Sequence, residues 1–259
     1  MAERTRVLIT VKTYPIPSLS HLELVCTAGV LEDGRFVRLY PIDYRYRPYW
    51  GWFKKYQWVE AELERNEKDP RPESFKPMHD SVIRPIGEPL SSKQCWAERK
   101  RFVLAGGTRT MCALQQQPQR VCSLGIIRPK SVDDFVVKPV ARNWKPEWQA
   151  LFVQQRLFGP NQKPLEKIPY KFSYVFHCEE PGCDGHKMMI EDWEVGQLYR
   201  TMRDKYRDEQ VALQKVTDKF FGTICAPDID IHFYVGTILQ HGTWVILGAF
   251  WPKKTCQNQ

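Results

Sequence analysis

Arg6-Val-Leu-Ile-Thr-Val-Lys12 and Glu23-Leu-Val-Cys-Thr-Ala-Gly-Val-Leu-Glu-Asp-Gly-Arg-Phe-Val-Arg-Leu-Tyr40 are the two runs from which the fold is read. Both are rich in β-branched and apolar residues. The second is interrupted at Glu32-Asp33-Gly34, where Asp-Gly supplies the positive φ of a tight hairpin. The chain therefore opens as a β-meander. Gln57 to Glu64 alternates as a further strand. Asn66 to Leu90 then carries five prolines and many charges, which predicts an exposed loop or linker.

Ser91 or Ser92 is placed to cap a helix through Leu104, ended by Gly106-Gly107. Leu124 to Arg128, Asp134 to Val140 and Tyr170 to Cys178 read as strands, and Lys145 to Phe158 has helical apolar spacing. Glu191 to about Phe221 is the longest helical pattern, with Trp193, Leu198, Met202, Tyr206, Leu213, Val216 and Phe220 as its buried stripe and Gly196 as a potential break. Ile231 to Gly236 and Thr243 to Phe250 form a closing hairpin around Gln240-His241-Gly242. Strands and helices mix along the chain, so the class is α+β and β-rich. The expected division is a β-meander with its aromatic segment over residues 1–64, the proline-rich stretch 65–90, and an α+β part over 91–259.

The 259 residues are 42% hydrophobic and 26% charged, the composition of a globular chain with a real core. The net charge of +8 attracts polyanions or anionic surfaces. Met-Ala-Glu-Arg-Thr-Arg leads into the first strand without an apolar signal region, and no run is long enough to span a bilayer. A cytoplasmic protein with no membrane partner is expected. In that setting the eight cysteines read as free thiols or metal ligands rather than a disulfide framework.

Tyr44-Arg-Tyr-Arg-Pro-Tyr-Trp-Gly-Trp-Phe-Lys-Lys-Tyr-Gln-Trp58 holds eight aromatic and four basic residues in fifteen, with no acid. Taken singly, such rings read as core. Interleaved with four cations they read as nucleic-acid contact, rings stacking on bases and cations meeting phosphate, with Arg45, Arg47, Tyr49, Trp50, Trp52, Lys54, Lys55 and Tyr56 as contact residues. A protein-partner surface is the alternative, because Tyr, Trp and Arg are enriched there too.

Cys178-Glu-Glu-Pro-Gly-Cys183-Asp-Gly-His186 sets two thiols and an imidazole at knuckle spacing on a Pro-Gly turn, the donor set of structural zinc. The fourth ligand is left among His177, Cys112, Cys122 and Cys225. Glu191-Asp192-Trp193-Glu194 follows, where carboxylates at a helix start read as caps. The functional alternative makes Asp192 an acid, base or charge stabiliser beside an aromatic wall, with Asp43 and Glu73 as rivals. P-loop, nucleophile-elbow, zincin and zinc-deaminase signatures are missing, as is a carboxylate cluster for two metals.

Val7-Leu-Ile-Thr-Val-Lys-Thr13, Val25-Cys-Thr-Ala-Gly29 and Asp33-Gly-Arg-Phe-Val-Arg-Leu39 together resemble the opening of bacterial dual-OB-domain proteins associated with phage defence, over about 40 of the 259 residues. That resemblance implies an OB-like N-terminal meander or barrel and a defence setting; it carries over no catalytic residue. The expected function is binding of single-stranded, distorted or modified DNA, with a DNA glycosylase that flips a base into an aromatic pocket as its enzymatic form. A non-catalytic nucleic-acid reader and a protein-interaction module are the other readings.

Overall fold

The computed structural model describes residues 4–18, 22–78, 82–153, 163 and 165–256. β1 (Arg4–Lys12) leads through a ribbon of β2 (Ile16–Ser18) and β3 (Leu22–Leu24) into β4 (Thr27–Val30) and β5 (Phe36–Leu39). β1 pairs with β4 at Leu8↔Val30, and β4 with β5 at Val30↔Phe36, so the predicted hairpin forms. Its turn needs Gly34: φ is +83°, and an added Cβ would lie 2.7 Å from the Gly106 nitrogen.

β6 (Trp58–Arg65) pairs with β1 on one side and, on the other, with β7 (Ser74–Pro77) and β8 (Arg84–Ile86). β7 lies parallel to β5, which closes a five-stranded barrel in the order β1-β4-β5-β7-β6-β1. This is an OB-like barrel. Val7, Ile9, Val37, Leu39, Val59 and Ala61 fill it, joined by Tyr44, Phe53 and Ile83 from the connections.

The proline-rich stretch is corrected here. It supplies the fifth barrel strand and an edge strand, because Pro77 ends β7 and Pro85 sits in β8, where a missing N–H is tolerated. Asn66, Asp69, Arg71 and Ser74 within it are buried rather than exposed.

α1 (Lys93–Val103) follows Ser91, whose Oγ accepts from the Lys93 nitrogen. Gln94, Cys95 and Trp96 adopt left-handed angles, so its regular part begins at Ala97. Cys95 is bonded to Cys256, which corrects the expectation of uniformly reduced or metal-bound cysteines.

The second half begins with α2 (Met111–Gln115), β9 (Leu124–Ile127), β10 (Ser131–Pro139) and α3 (Pro146–Val153). Of the helix predicted over 145–158, residues 154–158 lie outside the described residues. β11 (Tyr170–His177), β12 (His186–Met189), α4 (Trp193–Tyr206), α5 (Glu209–Thr217), a π turn over Asp218–Thr223, β13 (His232–Thr237) and β14 (Trp244–Phe250) complete it. β10-β11-β12 and β14-β13-β9 are each hydrogen-bonded, and a parallel bridge, Ile190↔Ile246, joins them. Taking β9 and β10 as one bent strand, the order is first, second, third, fifth, fourth, first. That is the order of the N-terminal barrel, so the second half repeats it in a more open form.

α4 and α5 plug this second barrel, Val195, Tyr199, Ala212 and Val216 packing with Phe135, Phe172, Tyr174 and Phe233. The single long helix predicted there is broken at Arg207 (φ 55°), after which Asp208 caps α5. Gly196 is no break. It lies inside α4 and is glycine because a Cβ there would meet the Tyr14 ring at 2.6 Å.

Alternation in β14, shifted by one residue at a bulge around Leu247, builds the joint between the barrels. Trp244, Ile246 and Ala249 face the second core; Val245, Leu247 and Phe250 face outward, against Leu8, Val11, Ala28 and Val30 of the first barrel. The outer face of β4, part of the surface that OB folds generally offer to oligonucleotides, is thereby covered. Any strand bound by the first barrel must use other residues. No helix among the described residues is long and apolar enough to cross a membrane.

Candidate nucleic-acid interface and metal centre

The aromatic run divides by which side of the barrel each residue reaches. Tyr44 and Phe53 enter the barrel core and Tyr56 enters the joint between barrels. Tyr49, Trp50 and Trp52 stand out at 86%, 64% and 39% exposure, on and beside a one-turn 3-10 helix over Tyr49–Gly51. The turn is locked from behind: Trp52 Nε1 donates to the Arg47 carbonyl at 2.8 Å, and the Tyr49 and Trp52 rings lie 5.9 Å apart. Lys54 is exposed beside them.

The other predicted contact residues have internal partners. Arg45 pairs with buried Glu23 at 2.8 Å and donates to the Lys163 carbonyl. Arg47 is largely buried near Asp43. Tyr56 is sealed under the Arg99 guanidinium, 4.2 Å from its ring. Lys55 is buried between Asp192 at 3.5 Å and Glu194 at 3.2 Å. Lys55 and Tyr56 therefore belong to the seam between barrels and not to an open surface.

That seam concentrates charge. Burial works to lower the Lys55 pKa, but the carboxylates of Asp192 and Glu194 outweigh it and hold the ammonium protonated. One cation serves two carboxylates. Lys55 holds the more exposed Glu194 below its usual value, while burial raises the enclosed Asp192 to about 6. Lys12 lies close by, its ammonium 3.2 Å from the Tyr44 hydroxyl, 3.1 Å from the Phe53 carbonyl and over the Tyr44 ring. Burial and the neighbouring Lys55 lower it to about 8, against the pull of Glu194. Nothing in the local pattern of β1 marks Lys12; only the fold encloses it.

The three carboxylates named from sequence are not gathered into one site. Asp192 caps α4, accepting from the Glu194 nitrogen at 3.0 Å. Glu73 accepts from the Ser123 nitrogen and hydroxyl across the joint. Asp43 sits 3.8 Å from Arg47 before the aromatic turn. Asp192 also lines a cavity of 220 Å³ between β12, α4 and the loop at Tyr14.

Cys178, Cys183 and His186 converge at the β11–β12 turn, and Cys112 of α2 joins them, with all four donor atoms within 4.8 Å of one another. Five of the separations are 3.4–3.6 Å. A tetrahedron with metal bonds of about 2.0–2.3 Å has edges of roughly 3.3–3.8 Å, so a Cys3His metal site fits. Thr110 sets Cys112 in place: its hydroxyl accepts from the Ala113 nitrogen and donates to Glu180 at 2.8 Å. His177 points away to Asp133, while Cys122 and Cys225 bond to backbone carbonyls. Four protein ligands leave no open position, which suits a structural rather than a catalytic ion.

A family model described as "Domain of unknown function (DUF8757)" matches residues 107–259. The chain belongs to that family. A second model, "Domain of unknown function (DUF8758)", matches residues 3–105, so the DUF8757 region is the second barrel with its metal site and the other is the first barrel with α1. No curated protein matches the chain. A solved structure described as "Structure of murine DNA binding protein bound with ds DNA" aligns over 99% of this chain and 98% of that one, at 7% identity and a TM-score of 0.34. That likeness is too slight to bear on fold or function.

Proposed function

We propose that this DUF8757 protein binds nucleic acid through a stacking platform of Tyr49, Trp50 and Trp52, with Lys54 at its edge. The observation that carries this reading is the division of one aromatic run into buried anchors and three exposed rings, of which Tyr49 and Trp52 are braced. Large rings left in water cost free energy unless they meet a partner, and braced rings lose little entropy on stacking. The basic net charge favours an anionic partner such as nucleic acid over a basic or neutral protein surface.

Trp50→Ala or Trp52→Ala is expected to weaken binding of single-stranded or distorted DNA by about 5- to 100-fold, the value of one stacked base. Affinity should also fall steeply with salt as counterions are released. Unchanged affinity in both variants, or indifference to ionic strength, would transfer the rings to a protein interface.

In its enzymatic form the reading is a DNA glycosylase of prokaryotic anti-phage defence that acts on a flipped, modified base. Its support is Asp192, a carboxylate at a helix start on a cavity wall. Loss of a base develops positive charge on the sugar, which such a carboxylate can stabilise. Asp192→Asn keeps an oxygen for capping and loses the charge. The variant should fold and bind DNA yet release no base, measured as abasic sites on phage and host genomes. Full activity in the variant would return Asp192 to capping, and absence of any product with the parent protein would leave a non-catalytic reader. For the Cys3His site the proposed metal is zinc, which tetrahedral thiolate and imidazole donors favour.

A further inference from the structure

Glu191 sits where the barrels meet, and its main chain is held from both sides. Its N–H donates to the Ile246 carbonyl at 2.8 Å, and its carbonyl accepts from the Tyr14 nitrogen at 2.9 Å. Glu191 lines two spaces, the 220 Å³ cavity that Asp192 also lines and a second of 200 Å³ bordered by Arg38, Arg71, Tyr40 and Cys26. Among the described residues no hydrogen bond or ion pair engages its carboxylate. The guanidinium of Arg71 is bound to Asp69 and Thr237, and that of Arg38 to Ser123. Asp192, one residue on, is committed to the Glu194 nitrogen and to Lys55. The carboxylate is half-buried, feels the charge of Lys171, and has both acceptor oxygens free of donors from the described residues.

The walls of the 220 Å³ cavity are aromatic and braced. Tyr14 donates to the Glu166 carbonyl at 2.8 Å, Trp144 to the Leu165 carbonyl at 2.8 Å and Tyr170 to Glu209 at 3.1 Å. Each ring thus has its polar end tied down by the protein. Lys171 is exposed on the same lining. A planar ring with two donors on one edge and an anionic tail is the chemistry this arrangement complements.

We propose that this cavity is a guanine-nucleotide pocket, in which the Glu191 carboxylate accepts from the N1–H and N2–H of the base, Tyr14, Trp144 and Tyr170 enclose the ring, and Lys171 meets the phosphate. Guanine alone among the common bases sets two donors side by side on that edge. Adenine and cytosine offer one donor and one acceptor, and uracil a donor between acceptors. Burial raises the Glu191 pKa to about 6, which leaves the carboxylate ionised, and acceptor-only, above neutrality. For a guanine within a strand, the inference rests on the nucleic-acid reading and would add a base-specific pocket to the unspecific platform.

The test uses mononucleotides and the full chain, so that it does not depend on the platform. Titrations of GMP, IMP, AMP and UMP at pH 7.5, followed by calorimetry, should give GMP an advantage of about ten-fold or more over AMP and UMP. IMP, which lacks the N2 amino group, should fall between. Glu191→Gln presents one donor and one acceptor, so it should lose GMP affinity by about ten-fold and narrow the gap to AMP. Lys171→Ala should weaken GMP and leave guanosine unaffected.

If Glu191→Gln does not fold by circular dichroism, the parent's GMP-to-IMP ratio and the Lys171→Ala pair decide the matter. Equal binding of the four nucleotides, no binding of GMP, or full GMP affinity in a folded Glu191→Gln variant would overturn the pocket. Trp50→Ala separates the two proposals. It should lower strand affinity and leave GMP binding unchanged, so GMP binding with no strand binding would sink the platform alone, and the converse the pocket alone.

Discussion

A Cys112→Ser variant is expected to purify without stoichiometric metal and with its second barrel unfolded. Cys112 comes from α2, while Cys178, Cys183 and His186 come from the β11–β12 turn, so an ion held by all four would tie the start of the second barrel to its second and third strands. Structural zinc sites contribute apparent binding free energies of about 10–16 kcal/mol at neutral pH, comparable to or larger than the net stability of a typical domain. Losing one ligand should therefore cost cooperative unfolding of the β10-β11-β12 sheet, seen as a lost thermal transition, and chelation of the parent protein should do the same. His177→Ala is the control, since His177 neighbours Cys178 in sequence but bonds to Asp133. Its metal content should be one zinc per chain. Substoichiometric metal in the parent, with a melting point untouched by chelator, would mean that the cluster works as thiols and imidazole alone.

Lys55→Met should destabilise the protein by about 3–5 kcal/mol, the cost of removing one partner from a buried ion pair. Lys55 and Asp192 are 11% and 4% exposed, so neither can turn to water for compensation. The loss should depend on pH with a definite sign. Asp192 is raised by burial from its ordinary 3.8 to about 6, so between those values the folded state binds more protons than the unfolded state. This contribution to stability is fully present below about 4 and is lost as pH rises through about 6. Without Lys55 the carboxylate is easier still to protonate, and the penalty should be largest at pH 8 and partly relieved at pH 5. Urea midpoints at the two pH values measure this. A deficit that does not shrink on acidification would place the cost in the packing of the lysine stem instead.

The hairpin at Asp33-Gly34 was legible from a turn residue with a conformational need, and the fully buried β13–β14 pair from two short apolar runs on either side of Gln240-His241-Gly242. The barrel's closure was not. β7 is four residues long, ends in proline and lies in a charged stretch, so it is a strand only because β5 and β6 leave a gap that it fills. The break in the long helical pattern was legible as a possibility and misplaced. Gly196 offers low helix propensity, but its missing Cβ makes room for the Tyr14 ring within a continuous helix, and the left-handed turn fell to Arg207 instead.

Local chemistry in the sequence determined that this chain is β-rich, that three candidate metal ligands share one turn, and that one segment is unusually aromatic and basic. Turn geometry, strand alternation and short ligand spacing act over a few residues, so a linear reading reaches them. Tertiary structure alone decided that Cys112 completes the Cys3His cluster from 66 residues before Cys178, and that the second half repeats the strand order of the first. It also decided which rings of the aromatic run meet water and which lysine is locked between two carboxylates. Each of those outcomes depends on what the closed barrels bring near a side chain. Proximity across a barrel joint sets burial, and burial sets both the charge state of Lys12, Asp192 and Glu191 and the availability of Tyr49, Trp50 and Trp52.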